Sequence, residues 1–137
     1  MIDAYLLYEV TFFSYSAKIK HDISKLPKLY TLDNGLINVV SVKYSKNRGQ
    51  MFENTVLIKL LESYEDISYW SELNSEVDFI ADNKAINATA ADKIPEREMQ
   101  GLDNFRKKHK EFSSLIIAES AGEDKLSLLD FLRKSLS

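Results

Sequence analysis

The sequence predicts a single α+β domain in which helices pack on both faces of a mixed sheet. From Gln50 onward the elements follow the order helix, three strands, helix, strand, which differs from the strict strand-helix alternation of a doubly wound fold. A chain of 137 residues is the size of one domain, and no internal repeat, low-complexity tract or linker divides it. With 45% hydrophobic and 28% charged residues, the composition is that of a globular protein.

The N-terminal part, residues 1–48, is predicted to be an extension that packs on the rest of the domain. Residues 6–15 are apolar and aromatic, and LPKLYTLDNGL predicts a short strand that ends at a turn. Asp33, Asn34 and Gly35 suit that turn because Asn and Gly tolerate positive φ. A helix over residues 36–42 and a loop over residues 43–49 are expected to follow. The N-terminus has no basic lead and no small-residue cleavage site, so we do not expect a signal peptide.

The central part, residues 49–119, is predicted to form the core of the domain. The stretch QMFENTVLIKLLESY has its apolar residues at helical spacing. ISYWSE, EVDFIAD and KAINATA then predict three short strands, which the polar turns SELNS and DNK join into an antiparallel meander.

Pro95 fits the first turn of a second helix that runs to about Lys110, with Met99, Leu102 and Phe105 on one side. SSLIIAE predicts a buried strand. Residues 120–137 are expected to close the domain as a strand and helix, with LLDFLRKSL as the amphipathic helix.

Composition excludes several classes of site. The chain has no cysteine, and its two histidines, His21 and His109, lack ligand-like spacing, so disulfides and thiolate metal sites are excluded. No GxGxxG and no GxxxxGK[ST] occurs, so no nucleotide-binding loop is recognisable. No apolar run approaches the ~20 residues of a membrane helix. We expect a cytoplasmic domain with no membrane partner.

A net charge of −3 does not attract nucleic acid over the whole molecule. DNA contact would need a local basic patch, and three basic runs are candidates for it. The alternative is that these runs are solvated faces balanced by nearby acids. The candidates are Lys18, Lys20, Lys25 and Lys28; Lys43, Lys46 and Arg48; and Arg106, Lys107, Lys108 and Lys110.

Two acidic residues are predicted to face the core. Helical projection places Glu53 near the middle of the apolar stripe of the first core helix, where an ionised carboxylate needs a proton, a partner or a cation. A hydrogen bond from a Tyr, a Lys or strand backbone is the structural alternative. On the strand EVDFIAD, Asp78 shares a face with Glu76 and Ile80. Glu53 and Asp78 together predict a weak site for a divalent cation, while Glu76 is expected at the surface.

The next strand carries no charge on the corresponding face. Asn87 and Thr89 lie two residues apart and therefore on one face, but an amide or a hydroxyl is a poor replacement for a carboxylate at Mg²⁺. Thr89 also cannot supply the cation that a phosphodiester-cleaving site uses. We considered Lys93, Lys59, Lys84, Arg97 and Gln100 as substitutes, and the sequence favours ordinary placements for them.

Four segments in order, KLYTLDNGL, RGQMFENTV, SEVDFIAD and REMQGLDNF, resemble the C-terminal domain of unknown function in a family of archaeal and bacterial AAA+ ATPases. That domain is similar to restriction-endonuclease-like, or PD-(D/E)xK, nucleases. The resemblance implies an α/β/α core in which Glu53 and Asp78 match acids of the nuclease site, while Asn87 and Thr89 stand at the Glu and Lys of its ExK element. It implies a degenerate site.

The resemblance further implies a parent ATPase whose nucleotide site and winged-helix domain lie upstream of this chain. We therefore expect a non-catalytic accessory domain that binds DNA or a protein partner. The alternative is a DNA nuclease with a rearranged site that uses Mg²⁺ or Mn²⁺; no cofactor is otherwise expected. Self-association into a homo-oligomer is left open.

Overall fold

The computed structural model describes residues 7–14, 25–31, 46–91, 93–120, 122 and 125–134. Within these residues a mixed sheet of seven strands combines with three helices. The strands are β1 (Leu7–Phe12), β2 (Lys28–Thr31), β3 (Ile67–Glu72), β4 (Ser75–Ala81), β5 (Lys84–Thr89), β6 (Ser113–Ala118) and β7 (Leu126–Ser127). The helices are α1 (Lys46–Leu61), α2 (Glu96–Lys108) and α3 (Leu128–Arg133). The predicted turn at residues 33–35 and the predicted helix at residues 36–42 lie outside the described residues.

The sheet has the order β2-β1-β3-β4-β5-β6-β7. Its centre is the predicted meander, because β3 pairs with β4 and β4 with β5, both antiparallel. β6 runs parallel to β5, and the short β7, which lies in the predicted closing segment, runs parallel to β6. The N-terminal strand β1 pairs parallel to β3 and antiparallel to β2. The N-terminal segment therefore extends the same sheet.

The two central strands are buried on both faces. Every residue from Val77 to Ala81 on β4, and from Ala85 to Thr89 on β5, is buried. Because successive side chains of a strand point to opposite faces, cover on both sides is required for this pattern. Contacts between α1 and β5, and between α2 and β4, supply part of that cover.

The apolar stripe predicted for α1 consists of Phe52, Val56, Leu57, Leu60 and Leu61. The first four side chains are buried and Leu61 is half-buried. The predicted C-terminal boundary of the loop over residues 43–49 was wrong, because the helix already begins at Lys46. Arg48 in this first turn pairs with Glu119, just beyond β6, a long-range contact that the sequence alone does not reveal.

The helix α2 follows Pro95, as predicted, but ends at Lys108 rather than near Lys110. Leu102 and Phe105 are buried as expected, whereas Met99 is 42% exposed and lies at the edge of the packed face. The closing helix α3 is confirmed, and Ser127 caps it by accepting a hydrogen bond from the Asp130 amide at 3.1 Å. No helix within the described residues is both long and apolar enough to cross a membrane.

The packing of α2 against β4 depends on Gly101. This glycine is buried, and a Cβ built on it would overlap the backbone carbonyl of Glu76 on β4. A substitution must therefore push the helix away from the strand. Gly49 on α1 has nothing within 4 Å of the corresponding Cβ position.

We expect Gly101→Ala to lower the free energy of unfolding by about 1–3 kcal/mol, because the overlap outweighs the gain in helix propensity. Urea denaturation measures the difference. Gly49→Ala is the matched control and should be neutral or stabilising by up to about 1 kcal/mol. Equal effects of the two substitutions would contradict the close approach of α2 to β4.

Candidate functional site

A polar cavity of about 420 Å³ lies where β2, α1, β4 and α2 meet. Its lining carries four acids, two cations and an amide: Lys28, Glu53, Asn74, Glu76, Asp78, Arg97 and Glu98. The two acids that the sequence predicted to face the core, Glu53 and Asp78, therefore line one cavity. Asn87 and Thr89 are buried and are not among its lining residues.

The cavity lies beside the point where the backbone ladder between β4 and β5 ends. That ladder runs from the Ala81–Lys84 pair to the Phe79–Ile86 pair. One residue further on, side chains replace it: the Asp78 amide donates to Oδ1 of Asn87 at 2.8 Å, and the Ala88 amide donates to Oδ2 of Asp78 at 2.9 Å. The reciprocal bonds of Asp78 and Asn87 thus satisfy backbone groups where the strands separate.

The other end of the Asn87 amide connects the hairpin to α2. Its Nδ2 donates to the carbonyl of Glu76 at 3.2 Å and to the carbonyl of Glu98 at 3.0 Å. Together with the bond to Oδ1, this side chain makes three hydrogen bonds to backbone and is fully buried. Thr89 serves a local role, since its hydroxyl accepts from the Ala91 amide at 3.3 Å. Both side chains therefore bond to backbone.

Glu53 projects from α1 and accepts a hydrogen bond from the Tyr30 hydroxyl on β2 at 3.2 Å. A hydrogen bond from a tyrosine is one of the structural alternatives that the sequence allowed. Burial, reinforced by the charge of Asp78, raises the pKa of Glu53 from 4.5 to about 7. Burial also raises the pKa of the Tyr30 hydroxyl, so this group stays a donor.

The pKa values of Asp78 and Glu98 are shifted in the same direction as that of Glu53. Burial raises the pKa of Asp78, against the opposing effects of the Ala88 amide and of Lys28 and Arg97. Burial and the charge of Asp78 raise the pKa of Glu98 from 4.5 to about 7. Three carboxyl groups, on three different elements, therefore take up protons more readily than carboxyls in water.

Two cations reach the cavity from elements outside the hairpin. Lys28, on β2, pairs with Glu76 on β4, and its ammonium lies 4.9 Å from the centre of the Tyr69 ring. Arg97, on the first turn of α2, is 80% exposed along its side chain, with Nε 3.8 Å from Oε1 of Glu98. Glu76 itself is exposed, as predicted, at the mouth of the cavity.

The other candidate substitutes are placed elsewhere. Lys59 pairs with Glu62 at 2.6 Å, and Lys84 donates to the Tyr64 hydroxyl at 3.2 Å. Lys93 and Gln100 are exposed and do not line the cavity.

Sequence reasoning missed three of the groups that shape this cavity: Lys28, Tyr30 and Glu98. Lys28 and Tyr30 lie two apart on one strand, so alternation would have placed them on one face. The alternation pattern does not predict that β2 pairs with β1 and that β1 pairs with β3, which brings β2 close to the meander. Glu98 lies in the first turn of α2, where the bond from Asn87 holds its carbonyl.

The chemistry of the cavity is that of proton uptake and charge pairing. Within the described part of the chain, no three acidic or histidine side chains are arranged to hold a metal ion. A cation entering the cavity would meet Glu53 and Asp78 beside the other two acids of the lining, with Lys28 competing for the same negative charge.

Part of the chain is similar in sequence to a known archaeal protein. It is 37% identical over 82 residues to the uncharacterized protein MJ1544 of Methanocaldococcus jannaschii. The match covers 57% of this chain but 17% of the relative, so the chain spans less than a fifth of that protein's length. No protein-family profile and no solved structure matches the chain.

The raised pKa of Glu53 predicts how stability depends on pH. The folded protein binds this proton more tightly than the unfolded chain does, so the free energy of unfolding should fall as pH rises from about 4.5 to about 7. Glu53→Gln removes the cost of ionisation and keeps a polar end, so it should stabilise the protein at pH 8 by roughly 1–3 kcal/mol. It should also flatten the decline.

Urea denaturation across this pH range provides the measurement. Glu96→Gln, which removes an exposed carboxylate from α2, controls for the change in net charge. A Glu53→Gln variant that is less stable than the wild type at pH 8, or that keeps the full decline, would contradict the buried carboxyl.

Proposed function

We propose that this chain is a non-catalytic accessory domain, the C-terminal domain of an AAA+ ATPase, built on a degenerate PD-(D/E)xK nuclease fold. The order of α1, β3, β4, β5, α2 and β6 is in keeping with a restriction-endonuclease-like core. Burial of β4 and β5 on both faces supports an α/β/α layering. The N-terminal strands β1 and β2 would be additions to that core.

The observation that carries the proposal is the use of the Asn87 amide. In an active hairpin of this kind, the corresponding carboxylate would hold a metal ion, and a lysine two residues later would assist the reaction. Here the three hydrogen bonds of Asn87 all go to backbone, and Thr89 bonds to Ala91. The polar side chains of β5 therefore bond to backbone, and Asn87 connects the β4–β5 hairpin to α2, instead of binding a metal ion and its water.

The partners follow from the same proposal. The ATPase and winged-helix domains of the parent protein would lie upstream, and the domain would bind DNA or dock a protein, in the cytoplasm and without a membrane. Self-association is a further form of docking. The greater length of the archaeal relative, itself uncharacterized, fits a domain of a larger protein.

One observation favours a second candidate, a Mg²⁺- or Mn²⁺-dependent DNA nuclease with a rearranged site. Lys28 enters the cavity that Glu53 and Asp78 line, so a lysine ammonium lies near these acids after all, supplied by β2 in place of β5. In such an enzyme the two carboxylates would hold the metal, and the ammonium would stabilise developing negative charge.

A cleavage assay separates the two functions. We expect the wild-type chain, incubated with plasmid and linear DNA in Mg²⁺ or Mn²⁺, to cleave no more than Asp78→Ala. Cleavage that Asp78→Ala abolishes would overturn the accessory role. Loss in Lys28→Met as well, with activity kept in Lys93→Met, would support the rearranged nuclease, because Lys93 is an exposed lysine outside the cavity.

Retention on DNA tests the kind of accessory role. Binding through phosphate contacts predicts an affinity that falls steeply with salt, as counterions are released. Absence of retention even at low salt would leave protein docking as the account.

A further inference from the structure

The turn between β3 and β4 carries the most exposed large apolar side chain of the described residues. Leu73 is 99% exposed, and its φ of 53° lies in the left-handed region that a bulky residue rarely adopts. The next hairpin has Asp82 at a φ of 54°, followed by an asparagine just as Leu73 is. Aspartate tolerates this conformation, so Leu73 is the residue that departs from ordinary turn chemistry.

The fold gains nothing visible from this leucine. At 99% exposure its side chain buries almost no surface against the described residues, while its backbone conformation is unfavourable. Asparagine or glycine would suit the turn better. An apolar side chain at such a position is available for contact with another molecule.

Beside the turn lies a groove of about 200 Å³ between the β3–β4 hairpin and the C-terminal half of α2. We call it the hairpin-tip groove; Trp70, Glu72, Leu73, Asn104, Lys107 and Lys108 are among its lining residues. Trp70 is buried and packs edge-on against Phe105, so it forms a rigid apolar part of the wall. The groove thus combines a rigid aromatic ring, a protruding leucine and two lysines.

The charges of the groove favour a protein over a nucleic acid. Lys107 and Lys108 are exposed, and the ammonium of Lys107 donates to Oδ1 of Asn104 at 3.4 Å. Lys108 already pairs with Glu72 across the groove, and Asp103 is exposed one turn before Lys107. With Glu72 paired to Lys108, the lining of the groove keeps a net charge of +1, which suits a single carboxylate of a peptide better than the repeated phosphates of a nucleic acid.

We propose that the hairpin-tip groove docks a peptide segment of another protein, in which an apolar side chain packs on Leu73 beside the small accessible part of Trp70 and a neighbouring Asp or Glu pairs with Lys107 or Lys108. This inference rests on the proposed accessory role and deepens it by naming the partner's chemistry. It needs no contribution from the carboxylate cavity.

The test selects random peptides from a display library on the whole chain and measures the Kd of the enriched peptides by fluorescence anisotropy. Enriched sequences should combine apolar residues with Asp or Glu. Leu73→Asn, which suits positive φ and preserves the fold, should weaken binding about tenfold or more. The double variant Lys107→Glu/Lys108→Glu should do the same. Leu129→Asn, at a leucine that is 57% exposed on α3, is the control and should leave the Kd unchanged.

Several results would overturn the proposal: no enrichment, enrichment of basic peptides, or binding that Leu73→Asn leaves intact or Leu129→Asn weakens equally. Binding of duplex DNA that Leu73→Asn abolishes would also overturn it, by making the groove a nucleic-acid surface. If the peptides fail while the cleavage assay stays negative, docking at the hairpin-tip groove is wrong and the accessory role stands. Cleavage abolished by Asp78→Ala would instead overturn the accessory role itself.

Discussion

The reciprocal bonds of Asp78 and Asn87 hold together the part of the structure on which the candidate site depends. At this point β4 and β5 have left their common ladder, and each side chain bonds to the backbone of the opposite strand. Asn87 also binds the carbonyl of Glu98, which fixes the start of α2 to the hairpin. An unpaired polar backbone group at this buried position would cost free energy of folding. The hydrogen bonds of the two side chains remove that cost where the strands separate.

The cavity lies beside that separation, on the side of Asp78. It gathers Glu53, Asp78 and Glu98 from three elements, and burial raises the pKa of each carboxyl. The Tyr30 hydroxyl and the Lys28 ammonium offset part of the negative charge from the side of β2. With the Asn87 amide bonded to backbone on three sides, this part of the structure forms a polar network that connects β4, β5 and α2. Under the docking proposal, partner recognition is accordingly assigned to an outer surface, the hairpin-tip groove.

Local patterns predicted the parts of this arrangement that depend on neighbouring residues. Helical spacing gave α1 its buried stripe with Glu53 inside it, and alternation with polar turns predicted the meander that carries Asp78. The pairing of β2 with β1, and of β1 with β3, joins segments far apart in sequence, so the approach of Lys28 and Tyr30 was not foreseen. For Asn87, residue type showed the lack of charge, but its bonds to Glu76 and Glu98 depend on where α2 packs.

The most direct test of this account is the free energy of unfolding of Asn87→Ala, measured by urea denaturation beside Thr89→Val. The substitution leaves one buried amide and two carbonyls without their partner, so we predict a loss of about 2–4 kcal/mol. Thr89→Val removes one local bond and should cost about 1 kcal/mol or less. An Asn87→Ala variant within about 0.5 kcal/mol of the wild type would contradict the structural role of this side chain.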